Sequence, residues 1–141
     1  MKALIIYNTM SGNTEDLANK MKSILEKYNH ECDKFRDKNI KLQVKENSNF
    51  FDSYNLICLG SCTHAFAPAI SFKRFLKKIP RENLANKKLI CFATSGNKNA
   101  WKTTCKKIQK KIPELEHIGN IGCIEKENDD AVSALEDLMK K

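Results

Sequence analysis

The chain has 141 residues, 41% of them hydrophobic, and carries a formal net charge of +8. That length suits one domain with a substantial core, and the ordinary apolar content argues against disorder. No apolar run approaches a membrane span, and the first one, residues 3 to 7, is too short for a signal-peptide core. A soluble, cytoplasmic, single domain over residues 1–141 is therefore expected.

The basic charge is uneven. Between Lys73 and Lys111 there are thirteen Lys or Arg against one acid, Glu82. Such a stretch attracts acidic proteins, nucleic acid or anionic membrane, or is simply a solvated lysine face. No nucleic-acid motif accompanies it, and Trp101 is the one aromatic among the later lysines, so nucleic acid is not favoured. The six cysteines, Cys32, Cys58, Cys62, Cys91, Cys105 and Cys123, include no C-x-x-C pair. They read as reduced thiols instead of disulfides or metal ligands. Cys58, Cys91 and Cys123 lie inside apolar runs, where a thiol packs as a small hydrophobe. Cys62 differs in falling just past a strand.

In chain order, residues 3 to 7 (A-L-I-I-Y) read as a buried strand. Leu17, Met21, Ile24, Leu25 and Tyr28 follow at helical spacing. A second strand is expected near residues 31 to 36. The polar stretch from Asp37 to Phe51 has no clear period, although Ile40 to Val44 alternates and reads as a strand or an irregular loop. Residues 55 to 60 (N-L-I-C-L-G) form a third strand, followed by a loop reaching Pro68. Phe72, Phe75, Leu76 and Ile79 mark a helix that Pro80 ends. Residues 88 to 93 (K-L-I-C-F-A) give a fourth strand. Trp101, Cys105, Ile108 and Ile112 mark a helix stopped by Pro113, with Trp101 in its packing stripe. A glycine-softened fifth strand spans residues 117 to 124, and a last helix spans residues 130 to 140.

Strands alternating with helices imply right-handed crossovers and a mainly parallel sheet covered on both faces. Such sheets bind ligands beyond the carboxyl ends of their strands, where strand order reverses. Chemistry is therefore expected just after Tyr7, Gly60 and Ala93.

The first of these loops is Thr9-Met10-Ser11-Gly12-Asn13-Thr14, between strand and helix. A helix start carries unpaired N–H groups and a partial positive charge, which suits an anion. Gly12 lets the backbone approach a ligand, while Thr9, Ser11, Asn13 and Thr14 supply neutral donors. The plainer alternative is that Ser11 or Asn13 only caps the helix. Neither G-x-x-x-x-G-K-[ST] nor G-x-G-x-x-G is present, which argues against nucleotide hydrolysis and a dinucleotide site.

The stretch I-I-Y-N-T-M-S-G-N-T-E-D-L-A resembles the first strand, phosphate loop and first helix of flavodoxins. Thr9, Ser11, Gly12, Asn13 and Thr14 match the family's loop, which holds riboflavin monophosphate (FMN). The stretch L-I-C-L-G-S-C-T-H-A-F-A-P resembles the family's first ring-contacting loop. Gly60, Ser61 and Thr63 match it, while Cys62 replaces a proline and His64 a tyrosine. Thr94-Ser95-Gly96-Asn97-Lys98 stands where the second ring loop belongs.

The resemblance implies a three-layer α/β flavodoxin-like sandwich: a five-stranded parallel sheet in order 2-1-3-4-5, with helices on both faces. It implies FMN held by Thr9, Met10, Ser11, Gly12, Asn13 and Thr14. The ring would pack against Ser61, Cys62, Thr63, His64, Ala65 and Phe66 and against Thr94, Ser95, Gly96, Asn97 and Lys98. Many relatives carry a glycine two or three places beyond the tyrosine position, where a peptide flips to bond the reduced flavin. This chain has Phe66 and Ala67 there, which makes such a flip costlier.

The implied function is an electron carrier between redox proteins, its partner presenting an acidic face to the lysines. Two alternatives share the fold. One is a flavin-dependent oxidoreductase of the quinone or protoporphyrinogen type, and the other a binding module without redox activity. No catalytic residue or metal ligand is assigned. Cys62 has no feature that lowers a thiol pKa.

Overall fold

Strand β1 (Lys2–Tyr7) sends alternate side chains to opposite faces. Leu4 and Ile6 enter one core cluster, and Ala3, Ile5 and Tyr7 the other. Both faces are thus buried, which is why the strand reads as an unbroken apolar run. The computed structural model describes residues 2–141.

Helix α1 (Asn13–Lys27) buries Leu17, Ala18, Met21 and Leu25, spaced for one face of a helix. Glu15 and Asp16 stand in its first turn and Lys27 in its last, as the helix dipole favours. Strand β2 (Glu31–Arg36) pairs in parallel with β1 at the sheet edge.

Residues 37–46 form helix α2 (Asp37–Glu46), not the strand or irregular loop expected around Ile40 to Val44. The alternation Ile40, Leu42, Val44 misleads because only two of the three face the core. Ile40 and Val44, four residues apart, are buried, whereas Leu42 is 61% exposed. A strand would have put all three on one face.

Strand β3 (Leu56–His64) continues past Gly60, and a two-residue strand β4 (Ala67–Pro68) folds back against it. The expected loop from 61 to 68 is therefore a hairpin. Helix α3 (Ile70–Lys77), strand β5 (Lys88–Ser95), helix α4 (Ala100–Lys111), strand β6 (Glu116–Ile124) and helix α5 (Asp129–Met139) complete the chain. The parallel strands run in the order β2-β1-β3-β5-β6, with β4 beside β3. With β4 set aside, this is the expected 2-1-3-4-5 order.

The two cores fall on opposite faces of this sheet. One holds side chains of α2, α3 and α4, the other those of α1 and α5. Each wholly buried Leu or Ile, such as Leu17, Leu59 or Ile90, contributes roughly 1.5–3 kcal/mol. Trp101 joins the α2–α4 face as its helical stripe predicts, lying over Gly122. A β-carbon at Gly122 would sit 2.2 Å from the indole and 2.6 Å from the Ala93 carbonyl oxygen, so that strand position has room for glycine alone.

All six cysteines are free thiols, and only Cys62 is partly exposed. Burial raises every one of their pKa values: Cys32 and Cys123 to about 11, Cys91 to about 12, and Cys58 and Cys105 well above the usual thiol range.

Candidate functional site

The loops after β1, β3 and β5 meet at the carboxyl edge of the sheet, where strand order reverses between β1 and β3. In the first, Gly12 precedes α1 with φ +90°, a left-handed conformation that most side chains resist. No side chain caps α1, so neither Ser11 nor Asn13 plays the plain capping role. The first-turn N–H groups of a helix lack intrahelical acceptors, and here they gain none from a cap. Met10 and Ser11 are exposed and Asn13 half-buried.

Two of the expected phosphate ligands have internal work. Thr9 is 5% exposed, and its hydroxyl accepts the Gly12 N–H at 3.0 Å, which closes the loop. Thr14 is fully buried, and its hydroxyl meets that of Thr94 at 2.8 Å, tying the first loop to the third. The loop's outward donors are therefore backbone N–H groups with the side chains of Ser11 and Asn13.

The second loop is the β3–β4 hairpin. His64 pairs with Ala67 across a two-residue turn, Ala65-Phe66, with φ of 49° and 62°. Positive φ at both central residues is a type I′ turn, usually reserved for Asn-Gly. The left-handed positions are thus 65 and 66, one place earlier than the Phe66 and Ala67 pair expected to matter. Ser61 is buried; its hydroxyl donates to the Cys62 carbonyl at 2.7 Å and accepts the Ala69 N–H at 3.1 Å. Thr63 is tied to Thr104 of α4 at 2.9 Å. Outward-facing groups remain at His64, Ala65 and Phe66, the last 48% exposed and so not tucked into the core.

Cys62 is the chemically distinct member of this loop. Its sulfur lies 3.4 Å from His64 Nε2 and donates toward Asn8 Oδ1 at 3.5 Å. Burial pushes its pKa up, only partly offset by hydrogen bonds from nearby groups, so the thiol is neutral near pH 7.

In the third loop Thr94 and Ser95 are buried, and Gly96, Asn97 and Lys98 exposed. Ser95 donates to the Asn97 carbonyl, while the Asn97 carboxamide oxygen accepts the N–H groups of Asn99 at 3.1 Å and Ala100 at 3.0 Å. Asn97 therefore shapes the turn into α4. Nothing lies within 4 Å of a β-carbon placed on Gly96, so that backbone is open to a ligand.

One residue that the sequence reading passed over organises the site. Asn8, 8% exposed, donates through Nδ2 to Asp37 Oδ2 and to Ser71 Oγ, each at 3.0 Å. Its backbone N–H donates to the Gly60 carbonyl at 2.9 Å, and its carbonyl accepts the Cys62 N–H at 3.3 Å. Asn8 thereby joins β1, β3, α2 and α3 behind the loops. The clue in the sequence was a carboxamide directly after a buried strand, where a polar side chain must find partners on the elements packed beside it.

The residues fit a flavin phosphate. They combine an uncapped helix N-terminus, a glycine in the left-handed region, neutral outward donors and two further loops converging on one edge. Among the described residues no group of His, Cys, Asp and Glu is arranged to hold a metal ion. The fold and edge are those of a doubly wound mononucleotide-binding protein.

The flavodoxin family model matches residues 5–136, and the chain belongs to the flavodoxin family. Its members are FMN-binding flavoproteins of electron transport, so FMN is this chain's cofactor. A search of curated proteins finds no match. Among solved structures, a flavodoxin from the domain Archaea is 18% identical, with a TM-score of 0.77 over 99% of this chain and 94% of that one. Oxidised flavodoxin 2 from Bacillus cereus is 23% identical, with a TM-score of 0.73 over 99% and 96%. The rubredoxin:oxygen oxidoreductase of Desulfovibrio gigas is 14% identical with a TM-score of 0.76, but this chain covers only 34% of it. At these identities the likeness is one of fold.

Proposed function

We propose that this flavodoxin is a cytoplasmic, one-domain carrier that passes electrons between redox proteins and has no substrate of its own. FMN supplies the redox chemistry when bound. Residues 9–14 would hold its phosphate through the first-turn N–H groups of α1 and the side chains of Ser11 and Asn13. Residues 61–66 and 94–98 would flank the ring, with His64, Phe66 and the open Gly96 backbone outermost. Thr9, Thr14, Ser61 and Thr94 would act by fixing the loops, because their hydroxyls already bond within the protein.

The observation that carries this reading is the uncapped start of α1 behind left-handed Gly12, facing two other loops across one sheet edge. The net charge of +8 supports a partner with an acidic face. No described helix is long and apolar enough to cross a membrane.

Flavin titration of the apoprotein tests the reading. FMN should bind at least about tenfold more tightly than riboflavin, since charge-assisted hydrogen bonds to phosphate are worth about 1.5–3 kcal/mol each. Equal affinity for the two flavins would remove the phosphate role of residues 9–14. Steady-state oxidation of NAD(P)H or reduction of a quinone by the FMN-loaded protein alone would replace the carrier with an enzyme.

A further inference from the structure

We propose a second anion-binding site, adjoining the phosphate loop at Thr9 and Met10 but lined chiefly by α2 and α3, in the cleft between those helices, taking a phosphorylated small molecule of about nucleotide size. The cleft encloses about 500 Å³. That volume lies within the roughly 300–1,000 Å³ of small-molecule sites and exceeds what a lone phosphate fills. None of its lining residues comes from 11–14, 61–66 or 94–98. It touches the first loop only through Asn8, Thr9 and Met10, on the α2–α3 face of the sheet.

Five cations line it: Arg36, Lys38, Lys41, Arg74 and Lys78. None of them is in an ion pair among the described residues. Lys38 and Lys41 stand three apart on α2, and Arg74 and Lys78 four apart at the end of α3. Like charges at those spacings repel, by a few tenths of a kcal/mol per pair. The one carboxylate in the lining offsets only one of the five charges and forms no ion pair with any of them. Asp37 is 4% exposed, with Oδ2 accepting from the Asn8 amide at 3.0 Å and Oδ1 from the Lys38 backbone N–H at 2.8 Å.

Arg36 adds an independent sign of polar demand. One Nη donates to the Thr9 carbonyl at 2.7 Å, which pins the guanidinium at the head of the cleft, while its buried Nε has no partner. Ser71 adds a hydroxyl on the α3 side. Two helices thus present facing cationic strips across a concave space, with a single carboxylate, Asp37, against five cations. A ligand with two or more phosphate charges turns that repulsion into attraction, and two Arg side chains provide planar forks matched to phosphate.

Calorimetric titration of the FMN-loaded protein with inorganic pyrophosphate, at about 150 mM salt, tests the proposal, with flavin fluorescence followed in parallel. Saturable binding is expected, with flavin remaining bound and the backbone amide resonances of Lys41 and Ser71 shifting. A Lys41→Gln/Arg74→Gln double variant should weaken it at least about tenfold, the loss of two charge-assisted contacts. A Lys106→Gln/Lys110→Gln double variant, with the same charge change outside the cleft, should bind as the parent does. No saturation, or equal weakening by both double variants, would reduce the cleft to a solvated basic surface and overturn the proposal. Release of flavin by pyrophosphate would place the anion on residues 9–14 and overturn it as well. In the flavin-free protein pyrophosphate can also occupy residues 9–14, so there the contrast between the two double variants is the readout, and failure to bind FMN would not mask the result.

Discussion

The Ala65-Phe66 turn offers the sharpest energetic test. Both residues occupy the left-handed region, at φ 49° and 62°. A residue with a β-carbon pays about 1–2 kcal/mol there, which glycine does not. Glycine gives back about 0.4–1 kcal/mol through the greater freedom of the unfolded chain. Ala65 is exposed, so Ala65→Gly forfeits no burial and should stabilise the protein by about 0.5–1 kcal/mol. For a chain of this size that raises the melting temperature by about 2–4 °C.

Phe66→Gly removes the same strain but also a side chain that is half covered, at 48% exposure. Half of a phenylalanine's burial is worth about 1 kcal/mol, so this variant should be near neutral. Ala65→Val should destabilise by about 1–2 kcal/mol, since a β-branched residue tolerates positive φ least. Thermal and urea unfolding of the three variants, flavin-free and with saturating FMN, measures all of this. Ala65→Gly no more stable than wild type, together with a harmless Ala65→Val, would refute the strained turn.

Four further outcomes are expected. Asn8→Ala should cost about 2–3 kcal/mol in urea unfolding, because it strips a hydrogen bond from the buried Asp37 carboxylate. In a double-mutant cycle, Thr14→Val and Thr94→Val should couple by about 1 kcal/mol if their 2.8 Å contact ties the loops; additive effects would deny it. Stability should fall as pH rises above 9: a thiol whose pKa is raised by folding stabilises the native state below its unfolded pKa and loses that as pH approaches the folded value, about 12 for Cys91. Urea midpoints between pH 8 and 11 should therefore drop less steeply in Cys91→Ala than in wild type. Finally, the +8 chain should take its last electron at a less negative potential than an acidic flavodoxin, by a margin that shrinks with added salt; a redox titration giving an equally low value would contradict this.

The sheet order was legible because each central strand is an apolar run buried on both faces, and such runs have few other fates. Residues 3–7, 56–60 and 89–93 all behave so. Helix α2 was not legible because Leu42 is an exposed apolar residue, and its presence turns a helical pair into an apparent strand. The phosphate loop was visible as a motif, but which hydroxyls face inward was not. Thr14 meets Thr94 from 80 residues away, a partnership no local pattern encodes. Asn8 was missed for the same reason, since its partners Asp37, Gly60, Cys62 and Ser71 lie on three separate segments, α2, β3 and α3. The hairpin was hidden because Ala-Phe carries none of the residue signals of its turn type.

The three loops differ in how firmly they are held, and the difference bears on how a carrier responds to a change of charge on its cofactor. The first is closed by Thr9 and locked to the third through Thr14 and Thr94; the third is shaped by Ser95 and Asn97. Rearranging either would break hydrogen bonds that are partly or wholly buried, at about 1–3 kcal/mol each. The second is anchored at its base by Ser61 and Thr63, but at its tip it holds two residues in a conformation they disfavour. Leaving that conformation releases strain, so rearranging the tip costs the least free energy of the three. Any structural response to the flavin's charge should therefore concentrate at residues 64–67 while the other loops stay fixed. Ala65→Gly would make the left-handed turn cheaper to keep, and so would reduce that response without touching the phosphate loop.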